Sequence, residues 1–134
     1  MSLSEEERRA VVELELDKSD KTMAQLDVQI GAKLWDFAAN RLYYALFHAV
    51  SALLINDHHT VGTHSSAMSQ FNLFYIKEGV FSKVEGKLYS HLQRLREDGD
   101  YNCSIEVEEE EVKEKIEPTK QLIAKIKDYI ANHQ

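Results

Sequence analysis

The most apolar segment of the chain reads KLWDFAANRLYYALFHAVSALLI over residues 33–55. Its leucines, alanines and aromatic residues fall in every angular sector of a helix rather than on one stripe. Such a helix is buried among other helices, because only neighbours on all sides remove this surface from water. We therefore expect residues 33–55 to form the central helix of an all-α fold.

Amphipathic segments on both sides of it predict the other helices. Ser4 and Glu7 have capping-box spacing and begin a long helix that ends near Gly31. Thr63 caps a third helix, and Gly79 closes it. The first and third helices thus flank the central one along the chain.

The fourth and fifth helices follow from similar signals. Ser82 begins a second capping box and a helix over about residues 82–98, after which Gly99-Asp100-Tyr101-Asn102 is typical of a turn. The last helix carries Val112, Ile116, Ile123, Ile126 and Ile130 on one side, and Pro118 should kink or interrupt it. We expect an up-and-down bundle of about five helices, without a sheet, in a single domain over residues 4–132. The predicted core includes Trp35, Leu46, Phe47, Leu53, Phe71, Leu88 and Leu92.

Composition narrows the class of protein. The 134 residues are 43% hydrophobic and 29% charged, and only five Gly and one Pro are present, too few for the turns of an all-β fold. A single cysteine, Cys103, excludes an intramolecular disulfide, and no apolar run reaches the length of a membrane span. The expectation is a cytoplasmic protein without contact to the membrane. A net charge of −7 opposes wrapping of nucleic acid over the whole surface but allows a local basic pocket.

Arg41, Tyr44 and His48 share one face of the central helix. Seven residues place His48 about 20° from Arg41 around the axis and about 10 Å along it. A guanidinium in so apolar a helix must be paired, because its desolvation is costly. Two interpretations stay open: an anion or nucleotide site, and a core network of Arg41 with an Asp or Glu side chain.

His64 and Arg96 are two further candidates. His64 falls in the first turn of the third helix, where free backbone N–H groups favour a phosphate; alternatively it bonds a neighbouring helix. Arg96 lies near the end of the fourth helix, where its head can reach a cleft or simply face the helix dipole.

Metal and cofactor chemistry finds little support. Asp57, His58, His59 and His64 have a loop spacing that is weak for a metal site, and no histidine follows a Glu by three residues as in di-iron bundles. Neither a Gly-rich phosphate loop nor a Gly-x-Ser-x-Gly motif is present. We expect no metal and no cofactor.

Three stretches together resemble the small stand-alone HEPN proteins with an Arg-x-Tyr-Tyr-Ala signature. They are Arg41-Leu-Tyr-Tyr-Ala-Leu-Phe-His48 in the central helix, Thr63-His64-Ser65 opening the next one, and Arg96 to Asp100-Tyr101 closing the fourth. The resemblance covers about residues 5–130. It implies a helical bundle that forms a homodimer, in a superfamily tied to RNA cleavage, RNA binding and toxin–antitoxin or defence systems. Members often stand beside a minimal nucleotidyltransferase partner.

Catalytic members of that superfamily use Arg-x4-6-His late in the bundle, at a cleft between two protomers. This chain has Arg96 there, but Asp100 and Tyr101 follow without a histidine. The resemblance therefore implies Arg96 as the cation, Tyr101 more loosely as a binding residue, and a ribonuclease activity that is weak or lost. Asp100, His64 and His48 are candidate proton acceptors if folding brings one of them close.

Two functions from different classes remain. One is an RNA- or nucleotide-associated module, with Arg96, Asp100 and His64 as candidate catalytic residues and Arg41, Tyr44, His48, His64 and Tyr101 as candidate anion-binding residues. The other is a non-enzymatic protein-interaction bundle that docks onto a nucleotidyltransferase or similar partner. A small-molecule enzyme has no motif in its favour. Convergence of Arg41, His64 and Arg96 on one pocket favours the first function, and separate core networks favour the second.

Overall fold

The structure, a computed structural model, describes residues 2–102 and 106–134, and the regular secondary structure within these ranges is helical. The helices are α1 (Glu5–Gly31), α2 (Trp35–Asn56), α3 (His64–Phe71), α4 (Lys83–Tyr101) and α5 (Glu109–Asn132). Five α-helices and no strand within these ranges confirm the predicted all-α class. None of the helices in this part of the chain is long and apolar enough to cross a membrane. Cys103 lies outside the described residues.

Helix α2 is the centre of the bundle and packs against the other four helices. Its small side chains let those neighbours approach closely, and Ser19 on α1 donates a hydrogen bond to the carbonyl of Ala45 at 2.7 Å. The alanines of α2 that are fully buried are Ala38, Ala39, Ala45, Ala49 and Ala52. The apolar character of α2 on all sides is thus explained by contacts on all sides.

Helices α1 and α2 run antiparallel, with side-chain contacts that step along both helices in opposite directions. A short connection of three residues reverses the chain between them. The contacts that fix this register are Arg8 to the Ile55 carbonyl, Glu15 to His48, and Gln25 to Arg41. The register places the polar side chains of α1 beside the face that Arg41 and His48 share.

The predicted helix starts are confirmed. In the capping boxes that begin α1 and α4, the serine hydroxyl accepts from the backbone N–H of the glutamate three residues later, and that carboxylate accepts from the serine N–H. Thr63 caps α3 by accepting from the Ser66 N–H at 3.0 Å. Helix α3 continues through one π-helical turn, Asn72–Ile76, and Gly79 reverses the chain with a φ of 81°.

The expected turn at Gly99 to Asn102 is wrong, because α4 continues to Tyr101. Gly99 serves a close approach rather than a turn: a Cβ at this position would lie 3.1 Å from the Cβ of Asp36 at the start of α2. Asp100 accepts a hydrogen bond from Asn40 of α2 at 3.0 Å. The last turn of α4 is thereby held against α2.

Pro118 does not interrupt α5, which is continuous over its 24 residues. The proline is exposed, and Leu122, Ile126 and Ile130 remain buried in the turns that follow it. Burial of this apolar stripe outweighs the one backbone hydrogen bond that a proline removes.

Two members of the predicted core are only half-buried. Leu46, Leu53, Phe71, Leu88 and Leu92 are buried as predicted. Trp35 lies in the first turn of α2, under the ammonium of Lys113, and Phe47 faces a cluster of rings between α2 and α3. The prediction places both residues in the core because the spacing of apolar residues does not show which side of a helix its neighbours leave exposed.

Substitution of Leu46 by alanine should lower the free energy of unfolding by about 2–5 kcal/mol, because it leaves a cavity beside a fully buried position. Urea titration with unchanged m-value measures this loss. Leu14, which is 54% exposed on α1, provides the matched control, and Leu14→Ala should cost less than about 0.5 kcal/mol. A loss below about 1 kcal/mol for Leu46→Ala would contradict the central position of α2.

Candidate functional site

Arg96 is a buried arginine near the end of α4. It lies in the second-last turn of α4 and is only 8% exposed. Its Nη1 donates to the hydroxyl of Tyr44 at 3.3 Å. The guanidinium carbon lies 4.8 Å from the ring centre of Tyr43, 5.7 Å from that of Tyr44 and 5.6 Å from that of Tyr101. Arg96 is therefore more deeply buried than the sequence predicts, and it is surrounded by tyrosine rings.

Within the described residues, no carboxylate forms an ion pair with Arg96, and its buried Nε has no hydrogen-bond partner. Burial by itself lowers the pKa of Arg96, but the nearby phenolic oxygens of Tyr44, Tyr43 and Tyr101 outweigh this effect. The pKa is therefore raised above its ordinary value, and the group stays charged. Ring faces attract a cation but supply no counter-charge. A buried cation without a carboxylate is the arrangement expected of an anion-binding site.

His64 lies against two of the same tyrosines, Tyr43 and Tyr44. It occupies the first position of α3, and its Nδ1 is 2.9 Å from the hydroxyl oxygen of Tyr43. Its ring centre is 4.3 Å from that of Phe47 and 5.7 Å from those of Tyr43 and Tyr44. The fold thus brings His64 and Arg96 to two shared rings, although 32 positions separate them in the chain.

The protonation states of this cluster follow from burial and from Arg96. Burial raises the pKa of the fully buried Tyr43 to about 12, so its phenol stays protonated. Burial, then the charge of Arg96 and then His48, lower the pKa of His64 below its ordinary value. His64 is consequently a neutral imidazole at pH 7.

His48 borders the cluster one turn further along α2. Its Nδ1 is 2.8 Å from a carboxylate oxygen of Glu15 on α1, and its ring centre is 6.4 Å from that of Tyr44 and 5.6 Å from that of Phe47. Neither member of the pair is more than about a quarter exposed, at 22% for His48 and 16% for Glu15. Glu15 also lies 3.4 Å from the ammonium of Lys18.

Tyr101 and Asp100 complete the end of α4 in different ways. Tyr101 is 73% exposed, and its ring forms the outer wall beside Arg96. Asp100 accepts from Asn40 and, among the described side chains, makes no ion pair with Arg96. Of these two candidates, the structure brings Tyr101 to the guanidinium and directs Asp100 toward α2.

Arg41 is held by amide side chains rather than by a carboxylate. It is half-buried, and its partners are amide oxygens: Asn40 accepts from Nε and Nη2, and Gln25 accepts from Nη1 at 2.9 Å. Its guanidinium carbon is 5.7 Å from the ring centre of Tyr44. The expected core network with a carboxylate is therefore wrong, since no ion pair to Arg41 occurs in the described part of the chain. The arginine lies at the rim of the cluster.

The loop residues considered for a metal have separate partners. Asp57 accepts from the hydroxyls of Tyr75 and Tyr129, at 2.7 and 2.8 Å, and joins the end of α2 to the π-helical turn and α5. His59 stacks on Phe74 with ring centres 4.0 Å apart. Across residues 2–102 and 106–134, no group of three His, Cys, Asp or Glu side chains could hold a metal ion.

Three residues that contact the histidines of this cluster are not identified by the sequence analysis. Tyr43 holds His64, Glu15 holds His48, and Phe47 lies between the two histidines. A signal for Tyr43 exists in the sequence, because adjacent tyrosines in a helix point about 100° apart and only one can face outward. For Glu15 none exists, since its role depends on the register of α1 on α2.

Comparison with known proteins identifies relatives over most of the chain. The UPF0332 protein of Thermotoga maritima is 43% identical over 77 residues, which are 58% of this chain and 58% of that protein. Two proteins of Methanocaldococcus jannaschii that are named as candidate toxins are 28% and 27% identical. Their alignments span 78% and 86% of this chain, and 75% and 78% of those proteins. The chain thus covers just over half the length of the Thermotoga protein and about three quarters of the others.

A match to a family model agrees with the helical bundle and with the signature in α2. The model of the HEPN domain matches residues 12–129, a span that includes α2, α3 and α4 in full and most of α1 and α5. The chain belongs to the HEPN domain family.

Proposed function

We propose that this protein is a toxin-like HEPN module that binds RNA or a nucleotide through Arg96, with a ribonuclease activity that is weak or lost. The observation that carries the proposal is the buried guanidinium of Arg96, which has tyrosine rings but no described carboxylate around it. A phosphate supplies the missing counter-charge. The exposed ring of Tyr101 offers a surface on which an unpaired base can stack.

The relatives and the departures from the superfamily pattern support the rest of the proposal. Two relatives are named as candidate toxins, which favours a toxin–antitoxin role for this chain in the cytoplasm. The positions where catalytic members carry a histidine, five to seven residues after the arginine, hold Tyr101, Asn102 and Cys103 instead. A weakened nuclease follows, because the usual proton acceptor is missing from that place.

The first test measures RNA binding by fluorescence anisotropy with a labelled single-stranded RNA. The affinity should fall steeply as the salt concentration rises, because displacement of counterions from phosphates drives binding. Arg96→Gln should weaken binding by about tenfold or more, and Arg96→Lys should recover part of the loss. Thermal unfolding of both variants checks that the bundle still folds.

Arg94 provides the matched control for this test. It lies on the same helix, is exposed, and loses the same charge in Arg94→Gln. The affinity of the Arg94→Gln variant for RNA should differ from that of the parent protein by less than about twofold, because Arg94 is a surface charge. Equal losses in the two glutamine variants would reject a specific role of Arg96, and a parent protein without any RNA binding would reject the proposed function.

We further propose a homodimer that uses the end of the bundle near Tyr101. Leu34 is 42% and Phe37 55% exposed at the start of α2, where the last turn of α4 packs. Three exposed apolar or aromatic side chains at one end are a surface suited to a second copy.

Light scattering at micromolar concentration should therefore return twice the chain mass of 15.4 kDa. Phe37→Glu should shift the protein to the mass of one chain, because it places a charge in the apolar contact. Leu14→Glu, at an equally exposed leucine on α1, should leave the mass unchanged. A parent protein with the mass of one chain would contradict the dimer.

A protein partner is the alternative function, and a groove between α4 and α5 favours it. The groove has a volume of about 750 Å³, with the exposed Val84 and the buried Leu88 on one side and Pro118 on the other. A nucleotidyltransferase or antitoxin that docks there would need no contact with Arg96. RNA binding that is absent at every salt concentration would favour this alternative.

A further inference from the structure

His48 and His64 flank the same two rings but have opposite partners. The rings of His48 and His64 lie 5.6 and 4.3 Å from Phe47, and 6.4 and 5.7 Å from Tyr44. Each imidazole uses Nδ1 for its hydrogen bond to a side chain. The partner of Nδ1 decides which ring nitrogen carries the hydrogen, and therefore what Nε2 can do.

Tyr43 makes His64 a donor at Nε2. The Tyr43 side chain is fully buried, and His64 is the hydrogen-bond partner that the structure gives its hydroxyl. A buried O–H without an acceptor is costly, so the phenol donates to Nδ1. Nδ1 is then the acceptor, and Nε2 of the neutral ring carries the hydrogen.

Glu15 has the reverse effect on His48. A carboxylate only accepts, so Nδ1 of His48 must carry the hydrogen and donate it at 2.8 Å. Whenever the ring is neutral, its lone pair is then on Nε2. A carboxylate that fixes an imidazole in this tautomer is the arrangement by which histidines serve as proton acceptors in enzymes.

We propose that His48, positioned by Glu15, is the proton acceptor of this site, and that His64, positioned by Tyr43, donates a hydrogen bond to the phosphate beside Arg96. The inference rests on the proposed function, since both histidines act on RNA bound at Arg96. The proton acceptor would then be a residue of α2 rather than a residue that follows Arg96 at the end of α4. His64, a candidate proton acceptor by sequence, becomes a donor.

The reaction that these groups support is cleavage by the 2′-hydroxyl of the RNA. Nε2 of His48 takes the proton of that hydroxyl, and the 2′-oxygen forms a bond to phosphorus. Arg96 and the Nε2–H of His64 stabilise the charge that develops on the phosphoryl oxygens. The bond to the 5′-oxygen breaks, that oxygen takes a proton from water, and His48 returns its proton to water. The products are a 2′,3′-cyclic phosphate and a 5′-hydroxyl.

Asp100 is less suited to this role. Its carboxylate already accepts from Asn40 at 3.0 Å, and Asn40 in turn accepts from Arg41. These bonds direct Asp100 toward α2 and the rim at Arg41. His48 has its lone pair on the nitrogen that its structural partner does not use.

Nitrogen-15 NMR of the intact protein measures the tautomers without any RNA. In spectra recorded at a pH where both rings are neutral, His48 should carry its hydrogen on Nδ1 and His64 on Nε2. Tyr43→Phe should remove the preference of His64, and Glu15→Leu should remove that of His48, because each variant takes away the partner of Nδ1 and puts no hydrogen-bonding group in its place. The same tautomer for both histidines in the parent protein would overturn the inference.

Cleavage of a labelled single-stranded RNA tests the chemical role. His48→Gln should slow cleavage by about a hundredfold or more, the contribution of a general base, with RNA affinity unchanged within about twofold. Glu15→Gln should slow it by about tenfold or more, again without loss of affinity. His64→Gln retains a side-chain N–H and should bind RNA better than His64→Ala, by about tenfold.

His91→Gln and Glu13→Gln are the matched controls, because both side chains are exposed and lie outside the cluster. A purely structural pair of Glu15 and His48 would lower the thermal midpoint in both variants and leave the cleavage rate of the folded protein unchanged, which would overturn the inference. RNA that is bound but never cleaved by the parent protein would also overturn it while leaving the proposed function intact. Absence of RNA binding would instead remove the proposed function itself.

Discussion

Burial of α2 on every side is the constraint on which the rest of the bundle depends. Five fully buried alanines allow the surrounding helices to approach closely, and each approach brings a polar side chain of a neighbour to a fixed turn of α2. Glu15 meets His48 in this way, Gln25 meets Arg41, and Asp100 meets its partner Asn40. The polar cluster is therefore a consequence of core packing rather than an addition to it.

Arg96 is a cation in a place where cations are costly. Arg96 is buried among three tyrosine rings, and cation–π contacts contribute about 0.5–2 kcal/mol each, less than the desolvation of a charge. A fold selected only for stability would replace such an arginine by an apolar side chain. Retention of the guanidinium makes sense when a bound anion completes its surroundings, and the same argument does not apply to the half-buried Arg41.

The sequence predicts those features of the structure that depend on a single helix. The caps at Ser4, Thr63 and Ser82, the central helix and the all-α class follow from local patterns. It fails where two helices must be placed against each other. Gly99 looks like a turn residue until Asp36 is seen to pack against it.

The candidate site shows the same division. Arg96 and His64 are identifiable from the sequence and its resemblance to a family, and the structure brings both to Tyr43 and Tyr44. The sequence does not predict that Arg96 is more deeply buried than Arg41, because Arg41 lies in the more apolar helix. Burial of a long side chain depends on which neighbour covers it, and that information is absent from a single helix.

The doubled tyrosine of α2 has a physical explanation in these contacts. Two adjacent positions of a helix point about 100° apart, so Tyr43 faces the core while Tyr44 faces its edge. The inward hydroxyl meets His64, and the outward hydroxyl accepts from Arg96. Phenylalanine at the first position would release the imidazole, and at the second it would leave a guanidinium N–H without its acceptor. One residue type at two successive positions therefore holds His64 and Arg96 at the same end of the bundle.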